Sequence, residues 1–499
     1  MGFAQAVPEL TWVDSVIREE EIDRYLDGGR DFIDEASIFQ TLADNSSPEP
    51  GFVRDVIQKS LEIETLGPDE TAALLHVDDP DLLEEMFEAA SEVKHRVYDN
   101  RIVTFAPLYC SNYCVNDCRY CGFARSNKVQ KRRRLSLEEV GEETEVLAGK
   151  IGHKRLIVVY GEHPLSDVDY IADTLSTIYG VRVPTRRGYG QIRRANVNAA
   201  PLSKDKLKVL RDVGIGTFQV FQETYHHDTY QEVHPAGTIK SHYRWRLYAM
   251  HRAFEAGVDD VGIGVLFGLY DWRFEVMGLL YHARDLERHF GVGPHTISFP
   301  RLEPAAGTPF TQNPVHRVSD EDFRKLVAVL RLSVPYTGMI VTAREPACLR
   351  MGVLSLGCTQ TDASTRIGIG AYSDRYVDQE AERQQFLLGD TRSLDEVIRE
   401  LAGRDIITSF CTAGYRCGRT GARIMSLLKS GKEGRFCKLN AILTLREWLE
   451  DFASEETKAA GDKVIAREME EVRCQMPETF HVLEEYHRRI MNGERDLYF

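Results

Sequence analysis

The sequence predicts an α/β protein built on a (β/α)8 TIM-type barrel, with helical extensions at both ends. Two observations carry that expectation. Eight short apolar, β-branched runs alternate with longer amphipathic stretches between residues 101 and 370, which is the rhythm of repeated β-α units around a parallel sheet. A group of three cysteines, Cys114, Cys118 and Cys121, begins just after the first of those runs, and a barrel of this class carries its chemistry on the loops at the C-terminal ends of its strands. A doubly wound open sheet is the competing arrangement, because periodicity alone does not separate closed from open sheets.

Taken in order, residues 1–100 read as a helical N-terminal extension. Residues 69–75 and 81–90 place apolar side chains at helical spacing with acids in the first turn. The stretch 40–53, which contains Asn45, Ser46, Ser47, Pro48, Pro50 and Gly51, reads as a loop. The barrel candidate spans 101–370. Its strand runs are 104–108, 156–160, 195–199, 217–221, 260–267, 295–300, 338–342 and, more weakly, 354–361. Helical stretches between them include 136–150, 204–213, 243–256, 273–290 and 320–332. After residue 370 the rhythm stops, and 371–499 reads as a mostly helical C-terminal region. In it 372–385 is loop-like, 393–401 is a helix with Ser393 and Glu396 at capping-box spacing, and 455–499 is charged helix.

Composition narrows the function classes. Hydrophobic content of 43% and charged content of 28% suit an ordinary soluble globular protein. A formal net charge of −15 argues against a nucleic-acid partner, which needs clustered positive charge. No apolar stretch reaches the length that spans a bilayer, and residues 1–14 lack the basic and apolar segments of a secretory signal. Ten cysteines in 499 residues are not a disulfide scaffold. Six fall into two groups, Cys114, Cys118 and Cys121, then Cys411, Cys417 and Cys437, which points to metal binding in the reducing cytoplasm. Cys110, Cys348, Cys358 and Cys474 are scattered and read as buried or inert thiols.

The first group has the spacing C-x3-C-x2-C, with Tyr120 directly before the last cysteine. A protein-held 4Fe–4S cluster usually takes four thiolates, so three leave one iron open, as a catalytic metal site requires. A disulfide fails on parity and compartment, and a structural zinc would need a fourth ligand that the spacing does not supply. Polar or flexible groups stand at successive strand ends: Gly161 and Glu162, Asn196 and Asn198, Gln222 and Glu223, Gly262 and Gly264, and Thr342 and Arg344. Each alone reads as a loop or cap residue; together they read as the lining of one pocket. The Gly262, Gly264 and Gly268 run lacks dinucleotide-binding spacing. The basic run Lys131 to Arg134 reads as a solvated loop, and His282 alone as a packed structural histidine. The C-x5-C-x19-C spacing of the second group matches no standard zinc pattern, so metal site and dispersed thiols both stay open.

The cysteine loop, followed by Gly122 and Phe123, resembles that of the radical S-adenosylmethionine (SAM) enzymes. From about residue 65 onward the chain resembles, within them, the tyrosine lyases of the FeFe-hydrogenase maturase (HydG) type. The likeness rests on residues 111–116, 196–198, 214–218, 221–226, 262–271, 291–298, 334–340 and 492–499. It implies a barrel of the radical SAM class and a 4Fe–4S cluster on Cys114, Cys118 and Cys121 whose open iron takes SAM. It sets Tyr120 near the adenine, Glu162 on the SAM ammonium, and Asn198 and Glu223 in the cofactor pocket. Thr342 and Arg344 match positions that hold the carboxylate of substrate tyrosine, a task that suits a guanidinium fork. The implied reaction breaks the Cα–Cβ bond of L-tyrosine to give p-cresol and dehydroglycine. The implied partners are a reductant such as ferredoxin or flavodoxin and other hydrogenase maturation proteins. In that type a second cluster, on a C-x2-C-x22-C pattern, converts dehydroglycine to carbon monoxide and cyanide on an extra iron. Here Cys411 and Cys437 match, the middle position is Gly414, Cys417 follows three residues later, and His282 matches the histidine on the extra iron. The alternatives are a lyase that stops at dehydroglycine, as in thiazole synthesis, a relative with another substrate, and a non-enzymatic iron–sulfur scaffold.

Overall fold

The computed structural model describes residues 12, 15–373, 384–417, 421, 423, 427 and 433–499. Eight parallel strands follow one another around a barrel: β1 (Arg101–Ser111), β2 (Arg155–Tyr160), β3 (Arg194–Asn198), β4 (Phe218–Gln219), β5 (Val261–Gly264), β6 (Thr296–Ser298), β7 (Gly338–Val341) and β8 (Gln360–Asp362). Each pairs with the next, and β8 returns to β1 through Val103 with Gln360, Thr104 with Thr361 and Phe105 with Asp362. That last pairing closes the sheet and excludes the open, doubly wound arrangement. Every residue of β1 is buried, which explains why these strands read as continuous apolar runs and not as alternating ones.

Helices cover the outside, and local chemistry sets their ends. Leu137–Val146 starts with a capping box between Ser136 and Glu139, Trp272–Phe290 is capped by Asp271, and Asp320–Ser333 by Ser319. Lys204–Val213 ends on Gly214 at φ 84°, and Trp272–Phe290 on Gly291 at φ 68°.

Several expectations need correction. Within 354–361 only the tail is strand; Leu354 and Leu356 finish the Ala347–Leu356 helix. The 243–256 stretch is two short helices, Tyr243–Leu247 and Ala249–Glu255. The predicted loop 40–53 shrinks to 45–49, because Glu35–Asp44 runs further and Pro50–Leu61 begins on its proline. Proline breaks a helix interior but suits its first position. Of the loop expected at 372–385, residues 374–383 lie outside the described residues.

The N-terminal helix Pro80–Tyr98 packs on Asp320–Ser333, and the Tyr98 hydroxyl donates to the Tyr336 carbonyl at 2.6 Å. The C-terminal region adds a ninth strand, β9 (Ile407–Ser409), which pairs with the start of β1, Arg101 with Ile407 and Val103 with Ser409. β2 pairs with β1 only from Ala106 onward, so β2 and β9 share one edge of β1, one above the other. The helix Glu433–Asp451 is pinned beneath the barrel by Glu447, whose buried carboxylate lies 3.0 Å from Lys154 and 2.7 Å from Arg193. Among the described residues no helix is long and apolar enough to cross a membrane.

Candidate active site

β1 hands over at Ser111 to the loop that carries Cys114, Cys118 and Cys121, and the three thiols line one cavity of about 220 Å³. Tyr120, Glu162, Asn198, Glu223, Thr342 and Arg344 line the same cavity. It therefore gathers residues from β1, β2, β3, β4 and β7 at the C-terminal mouth of the barrel.

The loop is fastened from several sides. Glu162 follows β2, and its carbonyl accepts from the Val115 amide at 2.8 Å. Gly161 makes that approach possible, since a Cβ there would stand 2.2 Å from the Tyr113 carbonyl oxygen. Arg132 donates to the carbonyls of Asn112 (2.6 Å), Phe123 (2.9 Å) and Ala124 (2.5 Å). The basic run is thus no solvated loop: Arg132 clamps the cysteine loop, Arg133 pairs with Glu139, and the Arg134 guanidinium stacks 4.0 Å from the Tyr170 ring centroid.

Charges in the cavity are arranged unevenly. Burial pushes the Cys114 thiol up to about 11, with the Glu162 carboxylate adding to the effect, and raises Cys118 further. Metal ligation needs thiolates, so loading this site expels protons. Burial also raises the Glu162 carboxyl; Asn116 donates to its Oε2, while its Oε1 is buried without a partner. Thr342 Oγ1 is likewise buried and unpartnered. Burial works against the Glu223 carboxylate, but Lys240 at 2.7 Å and Arg246 at 3.5 Å outweigh it and hold its pKa down. Glu223 sits at φ 75°, a backbone strain tolerated only where the surroundings fix it. The Tyr120 hydroxyl lies 2.8 Å from His234 Nε2, and His234 Nδ1 lies 2.9 Å from the Tyr230 carbonyl. Nδ1 therefore carries the proton, and Tyr120 donates to Nε2. The Arg344 guanidinium stacks 3.3 Å from the Phe386 ring centroid.

These groups fit a cluster with one open iron and an amino-acid ligand: three thiols, Cys118 buried and Cys114 and Cys121 partly so, an orphaned carboxylate oxygen suited to an ammonium, and an orphaned hydroxyl in the same cavity as a partly buried guanidinium. They fit a single zinc ion poorly. Among the described residues neither cysteine group brings its sulfurs within 4.8 Å of one another, whereas one tetrahedral ion with bonds of about 2.3 Å would draw them closer.

The second cysteine group lies at the opposite end of the barrel. Cys411 follows β9, and its carbonyl accepts from Arg155, the first residue of β2, at 3.3 Å. Cys411 and Cys437 both lie close enough to Tyr98 to oppose ionisation of its buried hydroxyl. Cys417 ends the short helix Ala413–Arg416, its amide donating to the Ala413 carbonyl at 3.1 Å and its thiol 3.5 Å from the Phe499 carbonyl. Asn440, on the helix that carries Cys437, binds that same carbonyl at 3.3 Å. His282 is not brought to this group. It packs on the outer wall, Nδ1 2.8 Å from the Tyr225 hydroxyl, with its ring between Phe32 and His251. Its Nε2 is buried without a partner, and no described contact joins it to Cys411, Cys417 or Cys437. Of the scattered cysteines, Cys110 and Cys358 are buried, and Cys348 and Cys474 are exposed.

Sequence reasoning missed Asn116, Arg132, His234, Lys240, Arg246 and Gln385. Lys240, Arg246 and Gln385 reach the cavity from distant parts of the chain, His234 reaches it only through Tyr120, and no motif flags them.

Comparison with known proteins agrees with this geometry. Residues 108–278 match the Radical SAM superfamily and residues 298–407 the Biotin and Thiamin Synthesis associated domain. The chain is 30% identical to the 2-iminoacetate synthase of Salmonella typhimurium over 352 residues, 70% of this chain and 88% of that one. It superimposes on the crystal structure of HydG, a maturase of the [FeFe]-hydrogenase, with a TM-score of 0.88 and 47% identity, covering 94% of this chain and all of that one. HydG from Carboxydothermus hydrogenoformans gives a TM-score of 0.75 and 36% identity over 95% of this chain and 99% of that one.

Proposed function

Because the chain belongs to the radical SAM enzymes, in the group of 2-iminoacetate synthase and HydG, we propose that it is a carbon–carbon lyase that cleaves L-tyrosine to p-cresol and dehydroglycine for hydrogenase maturation. The observation that carries this reading is the single cavity in which Cys114, Cys118 and Cys121 meet Glu162, Thr342 and Arg344. When bound, the cluster and SAM supply a one-electron reduction that ends in a deoxyadenosyl radical able to take a hydrogen atom from the substrate.

The chain's own residues bind, orient and enclose. Cys114, Cys118 and Cys121 would hold the cluster through their thiolates. The orphaned Oε1 of Glu162 takes the SAM ammonium in a charge-assisted bond, and Asn198 and Glu223 complete that side of the cavity. Tyr120, fixed by His234, presents its ring towards the adenine. Arg344, its guanidinium flattened against Phe386, grips the tyrosine carboxylate beside the Thr342 hydroxyl. The closed barrel keeps water and stray hydrogen donors from the reacting atoms.

At the other end, Cys411, Cys417 and Cys437 would hold a second cluster, which would supply the chemistry that converts dehydroglycine to carbon monoxide and cyanide. Gly414 offers no ligand, but Cys417 stands three residues further along the same helical turn. Residues so spaced share a helix face, with Cβ atoms about 5–6 Å apart, so the thiol covers the face that position 414 leaves bare. Ten cysteines, none in a disulfide, suit work in the cytoplasm with ferredoxin or flavodoxin as reductant and other maturation proteins as partners.

Anaerobic reconstitution with SAM, dithionite and tyrosine tests the reading. Deoxyadenosine and p-cresol are expected, and the absence of both would sink it. Cys417→Ala should lower iron content towards that of a one-cluster protein; unchanged iron would make Cys417 a bystander.

A further inference from the structure

A short strap, residues 384–388, crosses the mouth of the cavity and touches the cysteine loop directly. The Gln385 carbonyl accepts from the Gly122 amide at 3.2 Å, the Gln384 carbonyl accepts from Gln130 Nε2 at 2.6 Å, and the Leu387 amide donates to the Pro304 carbonyl at 3.0 Å. A Cβ on Gly122 would stand 2.7 Å from the Gln385 carbonyl oxygen, so the strap lies as close to the loop as a glycine permits. From this fixed backbone the Gln385 side chain turns inward. Its Nε2 is 3.4 Å from Cys121 Sγ, and its Oε1 accepts from the Tyr109 hydroxyl at 3.1 Å.

We propose that Gln385 is a positioning residue that tunes the first cluster: its amide donates to the Cys121 thiolate, and Tyr109 holds the amide in that orientation. The inference rests on the cluster assignment made above and adds a residue that neither the cysteine motif nor the cavity's polar strand ends contain. Tyr109 lies on β1, is buried and retains its proton, because burial pushes its ionisation far up. The hydroxyl therefore keeps a proton to donate. With the amide turned over, Oε1 would face the thiolate and two acceptors would oppose each other, so the thiolate selects the orientation that sends N–H to sulfur, and the Tyr109 hydroxyl steadies it by donating to Oε1. A ligating thiolate gains negative charge when its cluster is reduced. A donor aimed at it stabilises the reduced state more than the oxidised one and raises the reduction potential. The neighbouring residue in the strap, Phe386, carries the Arg344 guanidinium, so one five-residue segment braces both a cluster ligand and the grip on the substrate carboxylate.

The test is an anaerobic redox titration of the reconstituted full chain, followed by electron paramagnetic resonance on the signal that changes when SAM is added. Gln385→Leu should move that midpoint to a more negative potential while iron and sulfide content stay at wild-type levels. Tyr109→Phe should move it the same way by less, since the amide stays but is free to turn. An unchanged midpoint in Gln385→Leu with the cluster fully loaded overturns the proposal. If Gln385→Leu does not hold its cluster, Tyr109→Phe decides: a negative shift supports the proposal and no shift overturns it. A wild-type protein with no SAM-responsive signal would instead overturn the radical SAM reading, a failure distinguishable from an unshifted variant.

Discussion

Replacing Glu162 with glutamine should weaken SAM binding yet leave the SAM-free protein no less stable. Glu162 is 8% exposed as a residue, Asn116 satisfies Oε2, and Oε1 is buried without a partner. Burial raises its pKa, so the folded state binds a proton more readily than the unfolded chain does. Stability therefore falls as pH rises from the ordinary glutamate value of about 4.3 through the raised folded value. Glutamine keeps an acceptor for Asn116 and removes the buried charge, which relieves that penalty. It also removes the counter-charge for an ammonium. Hydrogen bonds to charged groups contribute about 1.5–3 kcal/mol, which at about 1.4 kcal/mol per decade is a loss of roughly 10- to 150-fold in SAM affinity. Equilibrium SAM binding to the reconstituted protein measures the first effect, and thermal unfolding of the SAM-free protein the second. Wild-type affinity should also fall as pH drops through the raised pKa, and the variant should be flat there. Unchanged affinity with the cluster intact, or a variant that melts well below wild type, would refute the assignment and make Glu162 a structural carboxylate.

Two further outcomes are expected. Glu447→Gln leaves Lys154 a buried cation without its counter-charge and Arg193 with Asp496 alone, and should cost about 3–5 kcal/mol in denaturant unfolding of the full chain; an unmoved midpoint would count against it. Burial opposes the Glu447 carboxylate, but Arg193 and Lys154 hold its pKa down to about 2, so the stability it contributes is complete above the ordinary carboxylate range and is lost as pH falls towards 2. Arg132→Ala strips three carbonyls of the cysteine loop of their donor. It should speed loss of iron to a chelator at near-normal melting temperature, and Arg132→Lys should rescue only partly, because an ammonium lacks the guanidinium's fixed fork. A wild-type rate of iron loss in Arg132→Ala would show that the loop does not depend on the clamp.

The barrel was legible because its strands are buried on both faces and so read as unbroken apolar runs. The weakest run failed for the same reason: Leu354 and Leu356 are apolar because a helix packs there, and periodicity over so few residues does not distinguish the two. The three loop cysteines were legible because one short segment carries them. Glu162, Asn198, Glu223, Thr342 and Arg344 were legible as strand ends, since a parallel barrel brings all its strand ends to one mouth. His234, Lys240, Arg246 and Gln385 were not, because short turns, a short helix and a distant strap bring them there, and no local pattern encodes that path. Arg132 was misread because a basic run looks the same whether water or backbone carbonyls receive its donors. His282 was placed by resemblance alone, and position on a helix does not say which face the ring occupies.

The split edge of β1 has a consequence for how the chain is made. β1 meets its first partner when β2 is synthesised, but β8 and β9 do not exist until residues 360 and 407 have been added. At translation speeds of about 5–20 residues per second, the interval from residue 111 to residue 407 lasts roughly 15–60 s. Until β8 is made, an apolar strand waits beside the ribosome with one side unpaired, and until β9 is made the start of its other side stays bare, a template for stray pairing. Versions of the chain that stop before residue 360 would keep that template for good, and they should precipitate rather than settle as smaller barrels.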